Sequence, residues 1–274
     1  MKLHEIENIE VELLLEAIFQ RYGYDFRGYA RASIRRRIKQ FMEGSKIATI
    51  SEMIPRVIHD ESLFNEMVRE FSITVTEMFR DPAMFLALRE NVLPVLKSYP
   101  YIKIWHAGCA TGEEAYSLTI LIKEYGLAER ATIFATDFND HALSLAKTGI
   151  YDLNNAKQYS LNYQKAGGNG SFADYYHSRY DAMMMNNELK KKITFANHNL
   201  VVDQVFSETH LIFCRNVLIY FNRELQDRVL QLFHESLVHG GFLCLGTKES
   251  LMFSRVEDRF KTIDKKNKIF QKID

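Results

Sequence analysis

A run of small residues separates an apolar, strand-like segment from the start of a helix in Ile-Trp-His-Ala-Gly-Cys-Ala-Thr-Gly-Glu-Glu-Ala-Tyr-Ser, residues 104–117. Gly108 and its small neighbours allow a ligand to approach the backbone closely. Glu113 and Glu114 fall in the first helical turn, where carboxylates complement the helix dipole and disfavour phosphate. The segment also lacks the glycine spacing of dinucleotide and P-loop sites. We therefore expect a nucleoside ligand with a cationic tail, a description that S-adenosylmethionine fits.

An acidic residue ends the next strand-like segment. Asp137 follows Thr-Ile-Phe-Ala-Thr at 132–136 and lies twenty-five residues after Gly112. Rossmann-like sheets place a carboxylate at this position to accept hydrogen bonds from ribose hydroxyls. An acid that ends a strand is also a common turn former or helix cap. The small-residue loop before it favours the ribose role.

A further polar cluster follows a buried strand-like run. Arg215 and Asn216 come directly after His-Leu-Ile-Phe-Cys at 210–214, and Tyr220 lies beyond them. Because the carboxyl ends of parallel strands line the ligand crevice, these residues are candidates for ligand contact. The simpler alternatives are a loop tie and, for Tyr220, a core aromatic with a hydrogen-bonded hydroxyl. The absence of proline after Pro100 excludes the Asp/Asn-Pro-Pro-Tyr motif of amino-directed DNA methyltransferases.

Residues 72–80 join a helical part of the sequence to the rest. Thr74, Thr76 and Arg80 have side chains that can bind the amino-acid end of a cofactor or a substrate carboxylate, Arg80 through a bidentate fork. Their spacing alone favours a simpler interpretation, a capped helix end with a surface arginine.

Basic residues form a stripe on an N-terminal helix. This basic stripe comprises Arg27, Arg31, Arg35, Arg36, Arg37 and Lys39. Four of these follow one another at four-residue steps, and no acidic residue occurs between positions 27 and 39. Such a face is either simply solvated or a docking surface for an acidic partner. RNA is a rival partner, but the neutral net charge and the lack of an RNA-binding motif argue against it.

Composition limits the class of protein. The chain has 274 residues and is 47% hydrophobic, which is ordinary for a folded protein. Its 35 basic residues balance 35 acidic ones, so there is no net positive charge to attract nucleic acid. The three cysteines show no CxxC spacing, so neither a metal site nor a disulfide framework is expected. The first residues lack the basic and apolar pattern of a signal peptide, and no apolar run is long enough to span a bilayer. We expect a cytoplasmic monomer without stable membrane insertion.

The hydrophobic pattern divides the chain. Helical periodicity runs from about residue 7 to 78, including a stripe of Leu13, Leu14, Ala17 and Ile18, and predicts a helical domain over 1–78. Asp81-Pro82 starts a linker helix within 79–100. Strands and helices then alternate over 101–274, which predicts a mostly parallel sheet with helices on both faces. The alternation breaks at about 160–198, where two strand-like runs flank Asn186-Asn187 and predict a β-hairpin insertion.

The ordered motifs together resemble the CheR family, S-adenosylmethionine-dependent methyltransferases that esterify glutamate side chains of bacterial chemoreceptors. The matching segments are Thr-Val-Thr-Glu-Met-Phe-Arg at 74–80, Gly-Cys-Ala-Thr-Gly-Glu-Glu-Ala-Tyr-Ser at 108–117, Ala-Thr-Asp at 135–137, His-Asn-Leu at 198–200 and Phe-Cys-Arg-Asn-Val-Leu-Ile-Tyr-Phe at 213–221. The resemblance implies an α/β fold: a Rossmann-like methyltransferase domain with a small inserted antiparallel β subdomain, preceded by an N-terminal helical domain.

The resemblance also implies functional residues. The cofactor, released as S-adenosylhomocysteine, would be surrounded by Thr74, Thr76, Arg80, Gly108, Glu114, Asp137, Asn199, Leu200, Arg215 and Asn216. Arg80 and Tyr220 would lie near the transferring methyl. Arg80 would orient a carboxylate, and Tyr220 would shape the methyl pocket by hydrogen bonding. The basic stripe would dock on the cytoplasmic helical region of a receptor.

Two alternatives stay open at this point. One is the same chemistry on a receptor-like protein outside chemotaxis. The other is a cofactor-binding regulatory module that has lost turnover. The presence of all the implied cofactor and methyl-pocket residues favours an active enzyme.

Overall fold

The computed structural model describes residues 3–72 and 75–274. The chain forms two compact units: Met1–Ile73 with Tyr220–Arg228, and Thr74–Ile219 with Val229–Asp274. This division differs from the predicted boundaries at residues 78 and 100. The region expected to be a linker belongs to the second unit, because Phe85, Leu88 and Leu93 are part of its hydrophobic core.

The first unit is helical. Its helices are α1 (Leu3–Tyr22), α2 (Arg31–Ser45), α3 (Ile50–His59) and α4 (Glu61–Phe71). Thr49 and Asp60 cap α3 and α4 by accepting backbone N–H groups with their side chains. The apolar stripe of α1 is offset from the predicted one: Leu14 and Ile18 are buried, but Leu13 is 56% exposed.

The second unit alternates strands and helices, as the pattern predicts. Its helices are α5 (Pro82–Asn91), α6 (Leu93–Leu96), α7 (Glu113–Glu124), α8 (Asp140–Thr148), α9 (Ala156–Lys165), α10 (Asn187–Lys190) and most of α11 (Arg223–Ser236). Its strands are β1 (Ile102–Ala107), β2 (Ala131–Asp137), β3 (Ile150–Asp152), β4 (Tyr176–Arg179), β5 (Ala182–Met185), β6 (Ile193–Asn197), β7 (Thr209–Cys214), β8 (Leu237–Leu245), β9 (Phe260–Asp264) and β10 (Ile269–Lys272).

The main sheet has seven strands in the order β6-β2-β1-β7-β8-β10-β9. The first five run parallel to one another, and β10 and β9 are antiparallel additions. The polar residues that follow β1, β2, β6 and β7 must therefore emerge at the same edge of the sheet. The predicted Rossmann-like fold with a preceding helical domain is confirmed.

The predicted antiparallel insertion exists, but its hairpin lies earlier in the chain than expected. Strands β3, β5 and β4 form a separate three-stranded sheet, and the β4–β5 turn lies at Tyr180-Asp181, with Tyr180 at φ 52°. Asn187 instead begins α10, and the following run becomes β6 at the edge of the main sheet. The Asn-Asn pair starts a short helix here, a role that local sequence does not distinguish from a hairpin turn.

Other sequence expectations have simple structural counterparts. Cys109, Cys214 and Cys244 are buried free thiols. Within residues 3–72 and 75–274, every helix is too short or too polar to cross a lipid bilayer.

We predict that Gly108→Ala destabilises the protein more than Gly126→Ala. Both glycines have a left-handed φ, 76° and 75°, so an alanine costs about 1–2 kcal/mol at either position. A Cβ at Gly108 would also lie 2.5 Å from Val217 Cγ2, whereas nothing lies within 4 Å of one at Gly126. This overlap adds about 1–3 kcal/mol at Gly108 alone. Urea unfolding of both variants measures the difference, and equal losses would contradict it.

Candidate functional site

The turn after β1 is held against the end of β2. The N–H groups of Gly108 and Cys109 donate to the Thr136 carbonyl at 2.8 and 2.9 Å. Ala110 adopts φ 48°, an unfavourable conformation for a residue with a Cβ. The turn is therefore fixed by tertiary hydrogen bonds, and its backbone lines the carboxyl edge of the sheet.

Asp137 ends β2 at this edge. Its Oδ2 accepts the Ala110 N–H at 2.9 Å and its Oδ1 accepts the Asn139 N–H at 3.0 Å. Burial raises the pKa of Asp137 above its ordinary value, and the backbone donors oppose that rise. Each carboxylate oxygen retains further acceptor capacity, which suits a diol such as a ribose.

The loop after β6 joins the same edge. The His198 N–H donates to the Asp137 carbonyl at 3.2 Å, which places Asn199 and Leu200 next to the end of β2. Asn199 Oδ1 accepts the Val201 N–H at 3.0 Å, so this side chain orders its own loop. Leu200, in the same loop, is buried.

Arg215 and Glu114 are the centre of a buried charge cluster. The Arg215 guanidinium, with a side chain 0% exposed, pairs with Glu114 and with Asp81, and donates to the Arg80 carbonyl at 3.2 Å. His106 Nε2 lies 3.2 Å from Glu114 Oε2. We call these four side chains, Arg215, Glu114, Asp81 and His106, the charged brace. Sequence reasoning missed Asp81 and His106 as members.

Contacts within the charged brace shift the pKa values of Glu114 and Arg215. Burial opposes the charged form of Glu114, but the Arg215 guanidinium and the His106 ring hold the pKa of Glu114 below its ordinary value. Burial likewise opposes the charge on Arg215, and Glu114 and Asp81 raise its pKa. Both groups are therefore charged at neutral pH.

The charged brace includes two residues that were predicted to contact the cofactor, Glu114 and Arg215. Glu114 and Arg215 are engaged with each other rather than open at the surface of the edge, so Glu114 acts here first as a support for Arg215. Arg215 Nε, in contrast, is buried without a hydrogen-bond partner. Buried donors are normally satisfied, so this N–H fits an acceptor on a bound ligand. The edge thus combines a carboxylate with spare acceptor capacity at Asp137 and an orphaned donor at Arg215. Contact of either group with S-adenosylmethionine stays a prediction.

Glu113 differs from its neighbour. It is 7% exposed, and its Oε2 accepts the Thr111 hydroxyl at 2.7 Å. Burial raises the pKa of Glu113 to about 7. A carboxyl group of this kind at the start of α7 leaves no free helix terminus for phosphate.

The segment before α5 borders the same region. Phe79 and Asp81 both have φ 53°, and the Phe79 N–H donates to Ser117 Oγ at 2.8 Å, which fixes the segment on α7. Arg80 is half-buried and donates to the Val75 carbonyl at 3.3 Å. Thr76 is half-buried, whereas Thr74 lies outside the described residues. Direct contacts of Thr76 and Arg80 with cofactor or substrate stay predictions.

Asn216 begins a segment that is anchored by a residue that the sequence motifs do not include. Asn216 has φ 60°, and its N–H donates to Glu249 Oε2 at 3.1 Å. Glu249 is 4% exposed and follows β8, the next parallel strand. The signal that marked Asp137, an acid shortly after a strand of the parallel sheet, also marks Glu249.

Tyr220 and the basic stripe belong to the first unit. The Tyr220 carbonyl accepts the Ala30 N–H at 2.8 Å, and the Arg37 guanidinium lies 5.2 Å from the centre of its ring. Arg37 itself is 4% exposed and donates to the Phe71 carbonyl, so it is a buried structural residue rather than part of an accessible stripe. The role of Tyr220 in a methyl pocket stays a prediction.

Most of the remaining stripe is paired with acidic or polar residues of α1. Arg27 pairs with Glu16, Arg31 with Glu12 and Lys39 with Glu7, each at 2.9 Å. Arg35 contacts Asn8 and His4. Arg36 is exposed and lies outside these pairs. The expected uninterrupted positive face is thus a series of ion pairs, because Glu7, Glu12 and Glu16 of α1 lie opposite three of the basic residues.

The searched part of the chain, 3–72 and 75–274, contains no cluster of three or more His, Cys, Asp or Glu side chains arranged to hold a metal ion.

Comparison with known proteins identifies the family of this chain. The family model described as the all-alpha domain of CheR methyltransferase matches residues 9–72, and the model described as its SAM-binding domain matches residues 74–269.

Whole-chain relatives agree as well. A protein named putative methyltransferase Cher3 from Pseudomonas putida is 51% identical over 265 residues, covering 97% of this chain and 97% of that protein. A chemotaxis protein methyltransferase from Listeria monocytogenes is 31% identical over 232 residues, 84% of this chain and 86% of that protein. Chemotaxis protein methyltransferase 1 from Pseudomonas aeruginosa is 30% identical over 231 residues, 78% and 80% of the two chains. This chain belongs to the CheR methyltransferase family and uses S-adenosylmethionine as its cofactor.

Proposed function

We propose that the protein transfers the methyl group of S-adenosylmethionine to glutamate side chains of chemoreceptors and gives glutamate methyl esters. The observation that carries this proposal is the set of five motifs, four of which the fold places at one edge of the sheet around Asp137 and Arg215. Relatives named chemotaxis protein methyltransferases support the chemotaxis role. A receptor's cytoplasmic region as substrate implies that the enzyme is cytoplasmic.

The residues of the site suit a reaction that needs no base. A glutamate with a pKa near ~4.3 is ionised at neutral pH, so its carboxylate is already a nucleophile. The cofactor supplies an electrophilic methyl group on a sulfonium. Asp137 would hold the ribose, Arg215 Nε would donate to a ligand acceptor, and Leu200 would exclude water. Catalysis would come from alignment and from desolvation of the carboxylate.

Arg80 is the proposed orienting group. Its backbone carbonyl is fixed by Arg215, while its half-buried side chain makes a long bond of 3.3 Å to Val75. A guanidinium held in this way could exchange that bond for a bidentate contact with a carboxylate. Tyr220 is proposed to shape the methyl pocket.

Transfer of tritiated methyl groups from S-adenosylmethionine to receptor-containing membranes tests the activity. We expect incorporated label that is released as methanol by mild base, because carboxylate methyl esters are base-labile. Calorimetric binding of S-adenosylmethionine without base-labile incorporation would instead support a silent regulatory module. Labelling restricted to receptors outside the chemotaxis system would support the same chemistry on another receptor-like protein.

We predict that Asp137→Ala raises the Kd for S-adenosylhomocysteine about 10- to 100-fold, because a hydrogen bond to a charged group contributes roughly 1.5–3 kcal/mol. Isothermal titration calorimetry measures the change. Asp140→Ala is the matched control, since Asp140 is an exposed acid at the start of α8 whose carboxylate accepts the neighbouring Asn197 side chain at 2.8 Å. Equal affinities of the Asp137 variant and the wild type would refute the ribose role.

The basic stripe is proposed as a docking surface on the strength of its exposed members. We predict that Arg36→Gln raises the KM for receptor about 1.4- to 5-fold at low salt, the effect expected from roughly 0.2–1 kcal/mol per exposed charge pair. The increase should shrink at high ionic strength because salt screens exposed charges. Methylation rates against receptor concentration give the KM, with the exposed Lys157→Gln as control. An increase that persists at high salt would contradict an electrostatic role.

A further inference from the structure

The buried carboxylate of Glu249 accepts hydrogen bonds from the backbone N–H groups of residues 216–219. It accepts the N–H groups of Asn216, Val217, Leu218 and Ile219 at 3.1, 2.9, 2.8 and 3.4 Å, together with that of Gly246. Its own N–H donates to the Gly246 carbonyl at 2.9 Å, which closes the turn that carries it. A buried carboxylate with this many donors satisfies both of its oxygens.

The segment that Glu249 holds meets the ligand-binding edge directly. Asn216 follows Arg215 of the charged brace, and the Val217 side chain packs so closely on Gly108 that a Cβ there would lie 2.5 Å from it. A Cβ at Gly246 would lie 2.9 Å from the Asn216 nitrogen, so the two loops are also in close contact. Movement of residues 216–219 would therefore move one wall of the turn at Gly108.

The hydrogen bonds also determine what this segment offers a ligand. The N–H groups of 216–219 are directed to Glu249, so the segment presents side chains and carbonyl groups to the cofactor rather than N–H donors. Asn216, at φ 60°, has a conformation that these bonds help to maintain.

We propose that Glu249 is a positioning residue of the cofactor site: it fixes Asn216 and Val217 beside Gly108 without contacting the cofactor itself. The inference rests on the proposed placement of the cofactor beside Asp137. It concerns a residue outside every motif on which that placement was based.

Two substitutions of Glu249 distinguish the loss of an acceptor oxygen from a change in side-chain length. In Glu249→Gln, the side chain keeps its size, but an NH2 group replaces one carboxylate oxygen. This NH2 group faces N–H donors and cannot accept hydrogen bonds from them. In Glu249→Asp, both acceptors remain on a side chain shorter by one methylene. The glutamine variant should therefore disturb the segment more than the aspartate variant does.

Glu124 provides a matched control. It is a buried glutamate of the same unit, with a side chain 6% exposed, that accepts from Arg89, Tyr163 and Tyr175. It ends α7, eleven residues from Glu113, or roughly 16 Å along the helix from the ligand-binding edge. Glu124→Gln thus disturbs a comparable buried carboxylate away from the proposed site.

The experiment compares thermal unfolding of each full-length variant with its Kd for S-adenosylhomocysteine and its KM values. We expect Glu249→Gln to raise the Kd and the KM for S-adenosylmethionine at least tenfold, with the KM for receptor changed less than twofold. Glu249→Asp should recover part of this loss. Glu124→Gln should lower Tm at least as much as Glu249→Gln yet keep the Kd within twofold.

Wild-type affinity in Glu249→Gln would overturn the proposal, as would a loss of affinity that simply follows Tm across both glutamates. If Glu249→Gln does not fold, Glu249→Asp takes its place with the same criteria and a threshold of threefold. Asp137→Ala separates the two levels of inference. Normal binding by that variant refutes the placement of the cofactor, whereas weak binding by it with normal binding by the Glu249 variant refutes the positioning role alone.

Discussion

The pairing of Arg215 with Glu114 is the interaction on which the ligand-binding edge depends. Both side chains are withdrawn from water, and a buried charge is tolerated only when a partner and further hydrogen bonds compensate it. Arg215 meets this condition by binding the start of α7 through Glu114 and the segment before α5 through Asp81 and the Arg80 carbonyl. A single guanidinium thereby ties the end of β7 to two other elements, and the removal of either acid would leave its charge only partly compensated.

The same edge shows a recurrent use of carboxylates as acceptors for loop backbone. Asp137 binds the N–H groups of Ala110 and Asn139, and Glu249 binds those of the segment after β7. Many N–H groups in loops at the carboxyl ends of parallel strands lack a partner in a neighbouring strand, and these carboxylates satisfy several of them. The result is a rigid rim in which residues such as Ala110 and Asn216 keep unfavourable φ values. Such a rim suits a reaction that depends on alignment.

In the helical unit, acidic residues of one helix neutralise part of the positive surface that the sequence of the next segment predicts. The basic residues of α2 predict a free positive face because no acid lies among them in sequence. In the fold, Glu7, Glu12 and Glu16 of α1 pair with three members of the basic stripe. The positive field that remains for an acidic partner is local and weaker than the count of basic residues suggests, and it includes exposed Arg36, which lies outside these ion pairs.

The sequence by itself determined the order of strands and helices along the chain and the residues at the strand ends, because periodicity distinguishes strands from helices and parallel strands share one carboxyl edge. The motifs therefore predicted that Gly108, Asp137, Asn199 and Arg215 lie near one another. The tertiary structure alone decided which polar groups meet. Arg215 and its partners are 101 and 134 residues apart, and Glu249 acts 30–33 residues from the segment it holds. Local patterns carry no information on such pairs, since their geometry is set by how the loops pack above the sheet.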